Sequence, residues 1–424
     1  MKTSHQKWTA AALASLLAVV TGCSGGSGSG EQEGATKSGG SEKVKLEFFQ
    51  MKADAVDIDN QLIKTFQEKY PNITVEQNNV PNPENVWTMR VSTNDAPQVF
   101  THYPHNAVFQ QMSKEGSVVD LTSDPLLANV QPAIVELSKI DGKNYVVPVA
   151  LATLGVYYNT KVFNDLGLKI PQTYDELIKT AETIKAAGIT PFYFHDKDWN
   201  GIRQEVVFKM GLMLPNIESF LDDVMMGKAH ITDRADMKPF AQKLYEMRKY
   251  SQKDALGTGY DDALREFANG KSAMWFTGIW AIKSIKQANP NLEFAMFPMP
   301  PEKAENAKTQ VSVDTAIGLP ANGKHKEEAR KFVEFMVSKE SVQRYVDFGG
   351  YPAAIKGVNN GVKELTTLNS LIEAGKVYPT IERLWPAGVN ADVGKATQEL
   401  FATGDIDAYL QKLDSIFYNK LNKK

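Results

Sequence analysis

The chain of 424 residues has one cysteine and six histidines, and its charges nearly balance, 47 Lys+Arg against 50 Asp+Glu. A single cysteine cannot close an internal disulfide, and zinc sites built on four cysteines, or on two cysteines with two histidines, are arithmetically excluded. The histidines (His5, His102, His105, His195, His230, His325) contain no H-E-x-x-H pair, which excludes a zincin-type centre. A formal net charge of −3 argues against nucleic acid as a partner, because such binders carry a clustered basic excess. No stretch reaches 18 consecutive apolar residues, so no transmembrane helix is predicted. Gly270-Lys271-Ser272 ends like a phosphate-binding loop, but Arg265 stands where that motif needs glycine. No G-x-S-x-G nucleophile elbow occurs either. What remains is an ordinary globular composition, 42% hydrophobic and 23% charged, long enough for two or three domains.

The N-terminus speaks to compartment. Lys2 and Lys7 precede an apolar run from Ala10 to Val20, too short to span a bilayer but suited to the core of a signal peptide. It ends in Val20-Thr21-Gly22-Cys23, which resembles a bacterial lipobox. Residues 1–22 are therefore expected to be a lipoprotein signal peptide, and Cys23 the lipidated N-terminus left after cleavage. From Ser24 to Lys43, twelve of twenty residues are Gly or Ser, a flexible coil with a span of roughly 25 Å. Residues 23–43 are thus read as anchor and tether, with the fold beginning near Val44. Expected localisation is the extracytoplasmic face of a cell membrane, held there by the lipid alone.

The body alternates strand and helix signals. Val44–Phe49 has period 2. Ile58, Leu62, Ile63, Phe66 and Tyr70 fall on one helical face, ended by Pro71. Strands are expected at Ile73–Val75, Pro97–Phe100 and Val118–Leu121, with a helix over His105–Glu115. The Asp141-Gly142 turn before Tyr145–Pro148 suggests a hairpin. Thr173-x-x-Glu176 reads as a capping box, and Gly188 as the end of its helix. The pattern continues through Thr190–His195, a helix at Asp236–Tyr250 and the apolar stretch Phe267–Phe276. Helices at Glu327–Val337 and Asp405–Tyr418 close the chain. Such alternation, without internal repeats, argues an α/β protein of three-layer type.

Several segments in order resemble the family 1 extracellular solute-binding proteins, sugar-binding lipoproteins of ABC importers. They are Tyr145-Val-Val-Pro148 with Gly155–Phe163 and Pro171–Leu177; Phe267–Trp280; Phe297–Pro300 leading to Glu327–Phe335; and Gly349-Gly350-Tyr351-Pro352-Ala353. The pattern is most similar to binding proteins for raffinose-type and multiple sugars. One departure is Gln98 after Pro97, where the family often has Asp. The resemblance implies an α/β, periplasmic-binding-protein-like class II fold of two discontinuous lobes joined by a hinge. Lobe one would take 44–150 plus 316–356, and lobe two 151–315 plus 357–424. It also implies an oligosaccharide ligand in the cleft, ABC permease subunits and their ATPase as partners, a monomer, no cofactor, no metal and no catalysis.

A neutral sugar needs flat aromatic faces together with several hydrogen-bonding groups. Trp280 follows Gly278 after a strand, at a position where family members present a cleft contact. Its alternative is burial beside Ile282 and Ile285. Trp385 lies in the loop Leu384–Gly388, and Trp199 in the polar loop after Thr190–Phe194; loops at carboxyl strand ends face the ligand crevice of α/β sheets. Trp275, within its strand, is expected in the core. On lobe one, Tyr103 and His105 follow a strand in the same way, as do Gln50 and Lys52. Asp314, on the expected hinge strand, could accept sugar hydroxyls or form an ion pair across the hinge. Tyr351 lies beside the last crossover. Two rival readings stay open. One is a protein of this fold binding a polyamine or metal ion through carboxylates or tyrosinates. The other is a surface-anchored glycoside hydrolase with carboxylates roughly 5–10 Å apart.

Overall fold

A computed structural model describes residues 43–359, 361–386 and 388–422. The expected leader, Cys23 and the tether as far as Glu42 lie outside them. Among the described residues the strands are β1 (Val44–Phe49), β2 (Ile73–Asn78), β3 (Val99–Thr101), β4 (Val147–Asn159), β5 (Thr190–Phe192), β6 (Ser272–Gly278), β7 (Phe294–Phe297), β8 (Thr309–Gly318) and β9 (Val377–Pro379). They run in the order β2-β1-β3-β8-β4-β6-β5, with β7 also on β4 and β9 on β8. β1 is parallel to β2 and β3, and β5 is parallel to β6, whereas every β4 pairing is antiparallel.

The two long strands explain how one chain makes two lobes. The first half of β4 pairs with β8 through Thr153, and the second half turns to β6 and β7 from Leu154 onward. β8 meets β9 and Thr153 at its start and β3 at its end. Both strands therefore cross from one lobe to the other. The register slips on either side of Ala150, just beyond Pro148, which has no N–H to offer a ladder.

Each lobe buries its own core. Leu46, Phe48, Phe66, Phe100, Phe332 and Val346 share one cluster, with the Phe332 ring edge-on to Phe48 at 5.3 Å. In the other lobe, alternate residues of β6 go to opposite faces: Met274 and Phe276 join one cluster and Trp275 the other, as the pleat requires. A fourth cluster is mostly helical, built from Trp199–Met213, Val389–Thr403 and Ile406–Asn422 with their neighbours.

Local signals mostly act as their chemistry dictates. Helix Val56–Lys69 buries Ile58, Leu62, Ile63 and Phe66. Helix Tyr174–Ala186 is capped by Thr173, whose hydroxyl accepts from the Glu176 N–H at 3.3 Å. The Glu176 carboxylate returns one residue earlier than a strict capping box, accepting from the Gln172 N–H at 2.7 Å. Other segments differ from expectation. Val118–Leu121 is not a strand: it makes one bridge, Val118 to Pro320, and a proline cannot extend a ladder. The hairpin before Tyr145 shrinks to a single Ile140–Lys143 bridge, because β4 takes its partners from distant strands. Phe267 and Ala268 end the helix Tyr260–Ala268, and β6 begins only after Gly270 turns the chain at φ +74°.

Candidate functional site

Segments that leave the carboxyl ends of strands carry the polar and aromatic groups in both lobes. In the first lobe Gln50, Met51 and Lys52 follow β1, and His102 and Tyr103 follow β3. Lys52 is the centre of a compact cluster. Its Nζ lies 2.5 Å from Asp314 Oδ2 on β8, donates to the Tyr351 hydroxyl at 3.2 Å, and sits 4.2 Å from the Tyr351 ring centroid. Tyr351 donates in turn to Asp54 at 3.0 Å, and Thr315 donates to Asp314 at 3.0 Å. Burial, the largest single influence, would lower the Lys52 pKa, but Asp314 together with Tyr351 and Asp54 outweighs it and raises it well above the usual lysine value. Burial pushes Tyr351 and Tyr103 each up to about 12. Tyr351 also packs against the second lobe's Trp275 cluster, so it touches both cores.

Beneath this cluster, Asp59 on helix Val56–Lys69 is fully buried and accepts from the Gln50 side chain. The Gln50 oxygen accepts from the Thr101 hydroxyl at 2.7 Å and from the Lys52 N–H at 3.0 Å. Burial raises Asp59 to about 7.

In the second lobe the corresponding strand ends form an open cavity of about 720 Å³, lined by His195, Asp198, Trp199, Asn200, Gly201, Gln204, Tyr260 and Trp280. Trp280 keeps 42% of its surface exposed and Trp199 37%, the only tryptophans with open faces among the described residues. The Trp280 indole folds back onto Gly278, where a Cβ would collide with the ring. Burial pushes the nearby Tyr260 hydroxyl up to about 12, with the Trp280 indole opposing the rise. Behind the loop that carries His195 and Trp199 lies a buried ion network. The Arg248 guanidinium reaches Asp196 at 2.8 Å and Glu205 at 2.7 Å, and Lys209 reaches Glu205 at 2.5 Å. Arg248 is held between the Phe194 and Phe401 rings, 3.8 and 3.7 Å from their centroids. Burial would raise the Glu205 pKa, but its two cations, Arg248 and Lys209, lower it to about 2.

Trp280 and Trp199 thus stand together on one cavity, and Asp314, Tyr351 and Lys52 form one cluster. Tyr103 lines a separate hollow of about 290 Å³ with Met51 and residues 82–85. His105 lies outside it: its Nδ1 is buried without a hydrogen-bond partner among the described residues, and the residue lines a small cavity of about 30 Å³ with Ser312 and Arg383. Trp385 must be corrected. Only 9% exposed, it packs edge-on to Phe417 at 5.1 Å within the helical core. The helices packed around its loop are amphipathic, and their inner faces give the indole an apolar bed that a loop position does not reveal. Trp275 is fully buried, in keeping with a core strand residue. Sequence reasoning missed His195 and Tyr260. The signal was the polar loop His195–Gly201 itself, in which Trp199 alone drew notice; Tyr260, at a helix start after Gly259, gave no signal.

The family model for bacterial extracellular solute-binding proteins matches residues 52–343. A multiple sugar-binding protein of Streptococcus mutans is 31% identical over 381 residues, covering 89% of this chain and 90% of that protein. The solved structure of ligand-free RafE from Streptococcus pneumoniae superposes with a TM-score of 0.81 at 29% identity, covering 90% of this chain and 99% of that one. RafE in complex with raffinose gives 0.70 at 28% identity, covering 89% and 99%. The two-lobe, periplasmic-binding-protein-like α/β fold is therefore shared with proteins of known structure. On these matches the chain belongs to the bacterial extracellular solute-binding proteins, a family whose members bind and carry rather than catalyse.

Proposed function

We propose that this protein captures a neutral oligosaccharide, of the raffinose type or a related plant sugar, between its two lobes outside the cell. The lobes are taken as 44–150 with 316–356 and 151–315 with 357–424, hinged on β4 and β8. The observation that carries the reading is the second-lobe cavity, where two open indoles and a tyrosine stand beside Asp198, Asn200 and Gln204. Flat apolar faces suit the C–H surfaces of a pyranose, and the polar groups suit its hydroxyls. The cluster of Lys52 and Tyr351 with Asp314 of the hinge strand, and Tyr103 nearby, supplies groups for the opposite side of the sugar. Contacts from both lobes would favour a closed arrangement, which a membrane permease with a separate ATPase would recognise. The raffinose complex of RafE and the multiple sugar-binding relative support the ligand class. Lipidation at Cys23, after removal of 1–22, would hold the protein on the extracytoplasmic membrane face; no described helix is long and apolar enough to cross a membrane.

The test is calorimetric titration and thermal denaturation of the purified protein with raffinose, stachyose, melibiose, a polyamine and divalent cations. A sugar at 100 times its dissociation constant should stabilise the fold by about 2.7 kcal/mol and be recovered intact. Response to the cations alone, or recovery of cleaved sugar, would overturn the reading.

A further inference from the structure

We propose that His195 is a hydrogen-bond donor to the bound sugar, its imidazole locked in the Nε2–H tautomer by the indole of Trp275. The inference rests on the oligosaccharide reading and adds to it a residue that selects for an acceptor oxygen. An indole N–H can only donate, and Trp275 Nε1 lies 3.3 Å from His195 Nδ1. Nδ1 must therefore present its lone pair, which leaves the proton on Nε2. The ring cannot easily turn to exchange the two nitrogens: it stands edge-on to Tyr260 at 5.5 Å and 85°, and to Trp275 at 5.9 Å and 76°.

Nε2 points the other way, against Gly201, where a Cβ would strike it. No described protein group accepts its proton, and His195 and Gly201 both line the cavity of Trp199 and Trp280. Burial lowers the His195 pKa, with Arg248 acting in the same direction and Asp196, Glu205 and Asp198 opposing it. A protonated ring would set a second N–H against the Trp275 N–H, so geometry and burial both keep the imidazole neutral. The backbone on either side of the ring is itself pinned, since Asp196 is held by Arg248 and Gln252 binds the backbone of Phe194 from both N–H and C=O. The result is one N–H of fixed direction in a cavity otherwise lined by adaptable side chains. A hydroxyl or ether oxygen satisfies it; a deoxy carbon at that position leaves it buried and unpaired, which is how sites built on hydrogen bonds reject analogues.

The first experiment needs no substitution. Isotope-labelled histidine in the whole protein should show His195 Nδ1 unprotonated and Nε2 protonated by NMR, and saturating raffinose should shift the Nε2 resonance. A proton on Nδ1, or an Nε2 signal indifferent to bound raffinose, overturns the proposal. The second experiment compares variants by calorimetry. His195→Phe keeps a ring but no donor and should lose about 10-fold or more in raffinose affinity, whereas His195→Gln, which can place an amide N–H near the same point, should recover most of it. Raffinose binding equally well to the wild type and His195→Phe overturns the donor role alone. Failure of raffinose, stachyose and melibiose to bind the wild type overturns this proposal together with the reading beneath it.

Discussion

In the first lobe the side chains that follow the strands are tied to one another; in the second they are propped from behind and left open in front. Lys52 and Tyr351 use most of their hydrogen-bonding capacity within the cluster, on Asp314, Asp54 and each other. Trp199 and Trp280 instead show solvent a face each, while Arg248, Glu205 and Asp196 stiffen the loop behind them without reaching the cavity. A ligand meeting the first surface must compete with bonds already made, whereas one meeting the second finds two indole faces open. Much of the affinity should therefore come from the second lobe. The first lobe should contribute more to stability and to the geometry of the hinge, since Asp314 lies on a strand common to both.

Substitutions can break this contrast, and the largest effect should fall on neither surface. Trp385→Ala removes a core indole packed on Phe417 and should cost about 3–5 kcal/mol in chemical denaturation, with raffinose affinity of the folded fraction unchanged. Trp280→Ala should do the reverse. Its half-exposed ring contributes little to the core, so the melting temperature should hold while raffinose affinity falls about 100-fold by calorimetry, as for an aromatic anchor at an interface. Equal binding by that variant would remove the second lobe's claim. Lys52→Met tests the other side. It strips Asp314 of its cation in a site where both side chains are mostly buried, and should cost about 2 kcal/mol of stability. Its affinity loss should be smaller than that of Trp280→Ala; a larger one would invert the comparison.

How far the sequence could foresee this surface depended on what each residue's neighbours in space were. β1 and helix Val56–Lys69 were legible because their periodicities were their burial patterns. The two-lobe topology was not a property of any local pattern: β4 and β8 are hinge strands because of partners far away in the chain, and only the family resemblance pointed there. Trp280 and Trp199 could be singled out from their places after strands. Trp385 misled, because an aromatic in a loop says nothing about the helices that close over it. His195 was passed over because its importance depends on Trp275, eighty residues later, which a core reading places correctly without showing which way its N–H points.

The finest test concerns Asp59, which underlies the first-lobe cluster through Gln50. Its carboxyl is fully buried, and its pKa is raised from an ordinary 3.8 to about 7, chiefly by burial, with the Gln50 amide and Lys52 opposing and Asp54 adding to the rise. The unfolded chain releases this proton near pH 4, but the folded protein keeps it until about pH 7. Between those limits the native state binds more protons than the unfolded state, so Asp59's contribution to stability falls as pH rises and levels off above about pH 7. Asp59→Asn retains an oxygen for Gln50 and cannot ionise. It should flatten that part of the stability profile and leave the protein about 1 kcal/mol more stable than wild type at pH 8, the gain being limited by the lost attraction to Lys52. Denaturant titrations at pH 5 and pH 8 measure the difference. If the Asn variant were less stable at pH 8, the ionised carboxylate would be a favourable partner of Lys52, and the cluster would extend one layer deeper than the Lys52–Asp314 pair.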